Sequence, residues 1–239
     1  MKGNHTWISL IIILILVIGT GIYLYQRFKP KGINIDKDIY PVTGIDISNH
    51  THITDWKLIK KAGIDFVYIK VSEGGDYKDP SYQKHAQNAL AAKIPYGGYH
   101  FFRFNRSGEI QAHNFLNTLL AEYQLPPVID VEEWGNTRPE SDYKETLEIK
   151  KFIREVETEL SQKVIIYCNK NSYERFIEGN FPENPVWICT FSRKPPVPSW
   201  LFWQHSHIGR IPGIQSDIDI NTFNGNREEW NKYFISILQ

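Results

Sequence analysis

The sequence contains few cysteines: two in 239 residues, at Cys168 and Cys189. Two cysteines do not make a disulfide framework, so the fold must be held together by a buried core. A chain of this length is large enough for such a core within one domain. Each cysteine lies near the end of a predicted strand, where free cysteine packs as a small hydrophobic residue. We therefore expect two buried thiols rather than a bond between them.

An excess of charge of either sign is also absent. The chain has 27 basic and 27 acidic residues, for a formal net charge of zero. This balance argues against a nucleic-acid-binding protein that relies on a basic surface. No glycine-rich phosphate loop follows the first predicted strand, so nothing favours a nucleotide-binding fold. Aromatic residues, by contrast, make up 14% of the chain, which suits sugar stacking as well as a large core.

One long segment lacks any charged residue: residues 7–25, with the sequence WISLIIILILVIGTGIYLY. A helix of this length can cross a bilayer, and the aromatic residues at its ends suit the membrane interface. A cleaved signal peptide is the alternative, but no A-x-A-like cleavage site follows the apolar run. We therefore predict an uncleaved transmembrane anchor over 7–25, with a short flank at 1–6 and a polar linker at 26–41.

From residue 42 onward, short runs rich in Val, Ile, Phe, Tyr and Trp alternate with helical patterns. Three prolines exclude a regular helix between the sixth and seventh runs. Strands that alternate with helices imply parallel βα units. Eight units predict an α/β fold over residues 42–239: a (β/α)8-like TIM barrel with weak or missing helices in its second half. A doubly wound open sheet is the alternative. The predicted strands cover residues 43–48, 65–73, 95–102, 126–132, 163–168, 185–191, 201–206 and 217–223.

Acidic residues collect where these strands end. The stretch PPVIDVEEW, residues 126–134, places Asp130 and Glu132 on one face of the fourth strand, because strand residues two apart share a face. Glu133 points the other way. In such a barrel the functional residues lie at the C-terminal ends of the strands, so acids from three strands would face one mouth. The acids near that mouth are Asp46, Asp130, Glu132, Asp217 and Asp219.

The histidines favour structural roles. His100 lies in an aromatic strand, which is more typical of a hydrogen-bonded core histidine than of a catalyst. His205 and His207 lie near the loop after the seventh strand and are expected to be exposed, although they could line the cleft. His50 and His52 lack the further ligands that a metal site needs, so we predict no metal site.

The sequence resembles glycoside hydrolase family 25, the Chalaropsis-type lysozymes or N-acetylmuramidases, over roughly residues 42–235. The resemblance rests on the segments TGIDISNH, FVYIKVSEG, YGGYHFF, PPVIDVEEW, VIIYC, WQHS and DIDINTF, which occur in the family's order. The D-x-E on the fourth strand, the G-I-D start and the late D-x-N make a specific combination. A Ser precedes Glu73 where the family often has Thr, which is a mild departure.

This resemblance implies roles for individual residues. Glu132 is expected to be the general acid that protonates the glycosidic oxygen, with Asp130 as its partner carboxylate. Asp46 and Asp219 would be flanking active-site aspartates. A glycosidase needs one carboxyl group protonated and another ionised, and clustered acids raise one another's pKa. The residues expected to bind sugar are Tyr99, Tyr167, Trp203 and Gln204, with Glu73 at the border of the site.

The resemblance also implies a function. We expect a membrane-anchored peptidoglycan hydrolase that cuts the β-1,4 bond between N-acetylmuramic acid and N-acetylglucosamine, acting as a monomer without metal or organic cofactor. The alternatives are a catalytically silent carbohydrate-binding barrel, and a glycosidase of chitin-like or host glycans. Basic residues at 27, 29 and 31 weakly favour a cytoplasmic barrel by the positive-inside rule. The substrate requires the barrel outside the cytoplasm, at the cell surface or in the periplasm, and we adopt that placement.

Overall fold

The computed structural model describes residues 3–28 and 32–238, and the chain divides into two compact units at residue 32. The first unit contains one helix, α1 (Gly3–Phe28), whose described side chains are exposed to solvent. Within the described residues, no helix combines the length and the apolar character that a membrane crossing requires. The transmembrane anchor predicted over residues 7–25 therefore finds no support.

The second unit contains one nine-stranded sheet that closes on itself. Eight strands form the closed barrel, because β1 pairs with β2 on one side and with β9 on the other. The short β3 forms a hairpin on the end of β2 and stays outside the barrel. The strands are β1 (Thr43–Ile47), β2 (Phe66–Glu73), β3 (Tyr77–Lys78), β4 (Tyr96–Phe101), β5 (Val128–Val131), β6 (Ile165–Asn169), β7 (Val186–Cys189), β8 (Phe202–Gly209) and β9 (Ile218–Phe223).

The last barrel strand departs from the expected all-parallel arrangement. The barrel strands from β1 to β8 pair in parallel, but β9 runs antiparallel to both β8 and β1. Only residues 210–217 connect β8 to β9, and a parallel crossover needs a dozen or more residues. The beginning of β9, rather than its end, therefore lies at the mouth of the barrel.

The helices pack around the barrel, and several begin at a polar residue whose side chain caps them. Asp55 caps α2 by accepting hydrogen bonds from the amides of Lys57 and Leu58, and Ser141 caps α5 in the same way. After α4 ends at Leu116, the Leu120 amide donates to the Tyr82 hydroxyl at 3.2 Å. The helices are α2 (Trp56–Lys61), α3 (Tyr82–Ala91), α4 (Gly108–Leu116), α5 (Asp142–Leu160), α6 (Lys170–Ser172), which continues into a π-helical turn (Tyr173–Ile177), and α7 (Arg227–Ser236).

The alternation of strand residues separates two cores. Outward-facing residues of the strands pack against the helices in one apolar layer. Inward-facing residues fill the lower lumen with large side chains, including Phe66, Tyr68, Trp187 and Phe202. Gly97 makes room for this filling, because a Cβ atom there would lie 2.4 Å from the Tyr68 ring. Large side chains therefore fill the lower lumen, and the acidic residues Asp46, Asp130 and Asp219 lie above them.

Candidate active site

The polar upper layer of the lumen begins with Asp46 on β1 and Asp219 on β9. The two residues are direct partners in the antiparallel ladder, and their carboxyl groups hydrogen-bond to each other. Oδ2 of Asp46 also accepts hydrogen bonds from Nδ2 of Asn221 at 2.7 Å and from Nε2 of Gln204 at 3.0 Å. Two buried amides therefore orient the Asp46 carboxyl group toward its role as an acceptor.

A proton holds this carboxyl pair together. Burial and the neighbouring Asp46 raise the pKa of Asp219 to about 9. Burial also raises the pKa of Asp46, but the hydrogen bonds from Asn221 and Gln204 oppose that rise. Because amide donors favour the ionised form of a carboxyl group, Asp219 carries the proton at neutral pH and donates it to Asp46. The pair then has a single negative charge.

Asp130 and Glu132 lie at the end of β5, with Asp130 inside the lumen and Glu132 just beyond the strand. Asp130 is only 7% exposed, and its Oδ1 atom has no hydrogen-bond partner among the described residues. Burial, followed by the charge of Glu132, raises the pKa of Asp130 well above its usual range. Burial, followed by the charge of Asp46, raises the pKa of Glu132 to about 7. Glu132 is thus substantially protonated near neutral pH, as a proton donor must be.

One cation moderates this cluster. Lys70 points into the mouth from β2, and its charge lowers the pKa of both Asp130 and Glu132. Its Nζ atom lies 2.6 Å from Oε2 of Glu73. Glu73 also accepts hydrogen bonds from Arg103, one of them from Nε at 2.8 Å. Burial alone would raise the pKa of Glu73, but Lys70 and Arg103 outweigh it and lower that pKa.

Tyr167 and Tyr99 complete the wall of the site. The Tyr167 hydroxyl donates to Oε1 of Gln204 at 2.9 Å, which fixes the amide that holds Asp46. Cys189 also approaches that oxygen, with Sγ at 3.0 Å. Tyr99 is partly buried beside the aspartates, and burial together with the charges of Asp46 and Asp130 raises the pKa of its phenol. Both phenols stay neutral and can donate or accept hydrogen bonds.

A small open cavity lies over the Asp46–Asp219 pair. Its volume is about 170 Å³, and Tyr99 and His207 form part of its wall. His207 stacks on Phe191, with ring centroids 4.7 Å apart, and it belongs to β8 rather than to an exposed loop. Asp217 lines the cavity too and pairs with Arg210 at 2.7 Å.

Comparison with known proteins identifies the family of the chain that forms this site. Residues 45–214 match the sequence profile described as Glycosyl hydrolases family 25.

This chain belongs to glycoside hydrolase family 25.

Named relatives agree with this assignment. Lysozyme M1 of Streptomyces globisporus is 32% identical over 207 residues, which are 79% of this chain and 70% of that protein. YegX of Escherichia coli K12 is 32% identical over 216 residues, covering 87% of this chain and 78% of YegX. A family 25 glycosyl hydrolase from Bacillus anthracis has a TM-score of 0.77 at 30% identity, covering 85% of this chain and 97% of that chain. The chain is therefore a glycoside hydrolase of the lysozyme, or muramidase, type.

The family 25 barrel brings most of the expected site residues to one mouth, but not Trp203. The Trp203 ring is buried on the outer side of β8, where it packs edge-on against Trp200 and His205. Its Nε1 donates to the Thr190 carbonyl at 2.9 Å. Because Gln204 faces the lumen, its neighbour must face away. Trp203 thus offers no surface to a sugar in the cleft.

Two other histidines of this family 25 chain are structural. His100 lies on the outer face of β4, where Ser72 Oγ is 2.8 Å from its Nδ1 and its ring stacks on Phe152. Burial lowers the pKa of His100 to about 3, as suits a neutral core histidine. His205, expected to be exposed, is instead buried, and its Nδ1 lies 3.0 Å from the Ile33 carbonyl oxygen.

Some residues that shape the site were not singled out from the sequence. Asn136 holds the loop after Glu132, with Nδ2 donating to the Glu132 carbonyl at 3.0 Å and to the Phe102 carbonyl at 2.7 Å. No sequence signal marks such a brace. Lys70, by contrast, is expected from the sequence to pair with Glu73, and the structure confirms that pair; it continues the inward-facing series of Phe66 and Tyr68 along β2. The two cysteines are free, but only Cys168 is fully buried, since Cys189 reaches the lumen.

Proposed function

We propose that this family 25 enzyme hydrolyses the glycan strands of peptidoglycan at the β-1,4 bond between N-acetylmuramic acid and N-acetylglucosamine. Glu132 is the general acid and Asp130 its partner carboxylate. One observation carries the assignment: at the end of β5 a carboxyl group with a pKa of about 7 stands beside a buried carboxyl group whose Oδ1 has no partner. Glycosidases need two carboxyl groups with different tasks.

In the first step, Glu132 donates its proton to the glycosidic oxygen as the bond from that oxygen to C1 breaks. The substrate's own 2-acetamido oxygen attacks C1 from the opposite side and forms a cyclic oxazolinium ion. The acetamido N–H donates to Oδ1 of Asp130, the atom that lacks a partner in the free protein. Since a hydrogen bond to the ionised form favours that form, substrate binding promotes the Asp130 carboxylate that the positive ring requires.

In the second step, the Glu132 carboxylate accepts a proton from water as the water oxygen bonds to C1. The ring opens, the acetamido group is restored and Glu132 is protonated again. Two inversions at C1 give overall retention. Asp46, which carries the charge of the Asp46–Asp219 pair, supports the developing positive charge from the β1 side of the mouth and keeps the pKa of Glu132 high.

The remaining polar groups position the sugar. Tyr99 and Tyr167 line the mouth as neutral phenols, and Gln204 links Tyr167 to Asp46. Glu73 is engaged by Lys70 and Arg103, so its contribution is to hold Lys70 near the acids. Peptidoglycan lies outside the cytoplasm, and we place the working enzyme there as well, acting on glycan strands as a monomer.

Product analysis tests the substrate and the bond. Purified peptidoglycan and chitin oligosaccharides are digested, the new reducing ends are reduced with borohydride, and the resulting sugar alcohols are identified by mass spectrometry. The proposal expects fragments that end in muramic acid from peptidoglycan, with much slower cleavage of chitin. Fragments that end in glucosamine, or preferential cleavage of chitin, would contradict it.

Proton NMR of a soluble peptidoglycan tetrasaccharide tests the mechanism. The assisted route predicts that the β anomer of the new reducing end appears first and then mutarotates. Initial release of the α anomer would instead require a water that attacks C1 directly, and the role given to the acetamido group would be wrong.

A further inference from the structure

The loop after the general acid displays a large aromatic side chain to solvent. Trp134 follows Glu132 by two residues, and it is 80% exposed. The other tryptophans of the described barrel are buried or partly buried, as is usual for so large an apolar ring. They are Trp56, Trp187, Trp200, Trp203 and Trp230. The Trp134 indole, two residues from the proposed general acid, is therefore available to stack on a ligand.

The loop that carries Trp134 is firmly held. Asn136 forms a bridge below it: its Oδ1 accepts from the Phe104 amide at 3.1 Å, and its Nδ2 donates to the carbonyls of Phe102 and Glu132. Arg103 donates to the carbonyl oxygen of Gly135, a residue whose φ of +69° gives the loop its tight turn. The exposure of the indole is thus a fixed feature of a braced loop.

The opposite side of the loop is also anchored. The Glu133 carboxylate is bound by Arg175 and by Nδ2 of Asn171, both in the segment after β6. These contacts fix the Glu133 side of the loop to the segment that follows β6. The loop is tied to the ends of both β4 and β6, with Trp134 at its tip.

We propose that Trp134 forms a sugar-binding platform at the rim of the mouth, which stacks on the pyranose ring of the sugar on the leaving-group side of the scissile bond. The proposal rests on the function proposed above. The loop lies at the rim, because Arg103 donates both to the Gly135 carbonyl and to Glu73. Trp134 lies between Gly135 and the proposed general acid Glu132 in the sequence, which places it beside the sugar that leaves with the glycosidic oxygen. The apolar face of a pyranose and its acetamido methyl group suit an indole, which buries large area at low entropic cost.

Such a platform contacts the leaving-group sugar, and the reacting C1 belongs to the other sugar of the scissile bond. It therefore binds ground state and transition state about equally, which affects KM rather than kcat. Replacing Trp134 with Ala is expected to raise KM for a soluble peptidoglycan tetrasaccharide by roughly tenfold, the factor that about 1.4 kcal/mol represents. The Trp134→Phe variant keeps a ring and is expected to recover most of that loss.

The decisive experiment measures tetrasaccharide binding by calorimetry in the full chain with Glu132→Gln, which prevents turnover. Adding Trp134→Ala is expected to weaken binding by roughly tenfold, with Trp134→Phe near the parent. Ile235→Ala, which truncates a 58% exposed side chain on α7, is the matched control and should leave binding unchanged.

Three outcomes can be distinguished. Equal affinity with and without the Trp134 ring overturns the platform but leaves the proposed function intact. No binding of the tetrasaccharide by the Glu132→Gln parent counts against the substrate itself and removes the platform with it. If Trp134→Ala both weakens binding and is partly unfolded at the temperature of the binding measurement, as its melting temperature would show, the ring has a structural role, and the platform is overturned.

Discussion

At the scale of single residues, the site depends on how four carboxyl groups divide their protons. Asp219 holds one proton, which it donates to Asp46, and Glu132 holds another, because its pKa is raised to about 7. The charge left on Asp46 is one reason why the pKa of Glu132 is so high, after burial itself. Lys70 limits this effect from the other side. The burial of Glu132 and the charges of its neighbours together give it a pKa that suits a proton donor at neutral pH.

This distribution predicts the pH dependence of the reaction. Because Glu132 must be protonated to act as the acid, kcat/KM should fall as the pH rises through about 7. The Asp46→Asn/Asp219→Asn double variant removes the negative charge that raises this pKa, so its alkaline limb should move to lower pH; both residues are changed because Asp219 keeps its proton partly through Asp46. The measurement is a pH series of initial rates on soluble glycan for both proteins. An alkaline limb that stays in place or moves upward in the double variant would refute the electrostatic coupling.

At the scale of secondary structure, strand alternation made much of the site predictable. It places Asp130 and Glu132 on one face and turns Glu133 away, toward Arg175. The same rule excludes Trp203 once Gln204 faces the lumen, although the family resemblance suggested both. Strand direction was harder to predict. The short 210–217 connection contained that information, since it cannot hold a parallel crossover, whereas apolar content says nothing about which way a strand runs.

The loop between β5 and α5 has its own prediction. Asn136→Ala removes hydrogen bonds to two carbonyls and two amides around the mouth. Leaving such groups unpaired costs about 1–3 kcal/mol each when they are buried, so a lower melting temperature and a lower kcat/KM are both expected. The measurements are thermal unfolding by circular dichroism and initial rates on soluble glycan.

Asn117→Ala is the control for this loop, because it truncates an exposed asparagine at the end of α4. It should behave as wild type in both assays. If Asn136→Ala has wild-type rates and wild-type stability, the hydrogen bonds of Asn136 do not hold the loop in place. The argument that Trp134 is displayed on a rigid loop would then be wrong.

At the scale of the whole molecule, the barrel separates stability from chemistry along its axis. Carboxyl groups and their amide partners occupy the mouth, and aromatic side chains fill the opposite end. Helix α7 closes that end with Trp230, whose ring stacks on Phe66 at 5.2 Å and meets Phe223 at 5.3 Å. The number of strands and the closed barrel followed from the pattern of apolar runs, but no pattern showed that the final helix would close the floor.

Trp230 therefore tests the division of the barrel. Truncating a buried aromatic residue costs about 3–5 kcal/mol, so Trp230→Ala should lower the melting temperature by roughly 10 °C while kcat per folded molecule remains near wild type. Differential scanning calorimetry, with rates measured well below the transition, checks both parts. Ile235→Ala on the same helix is the exposed control. A large loss of kcat in folded Trp230→Ala would show that floor and mouth are not independent.

The central claim is that Glu132 donates the proton to the glycosidic oxygen, and the adjacent Glu133 supplies a matched control. Initial rates of clearing of purified peptidoglycan are compared for wild type, Glu132→Gln and Glu133→Gln, with folding verified by circular dichroism. General acid catalysis contributes about 10²–10⁴-fold, so Glu132→Gln should lose at least roughly a hundredfold, while Glu133→Gln stays within a few-fold of wild type. Clearing by Glu132→Gln at the wild-type rate would contradict the account.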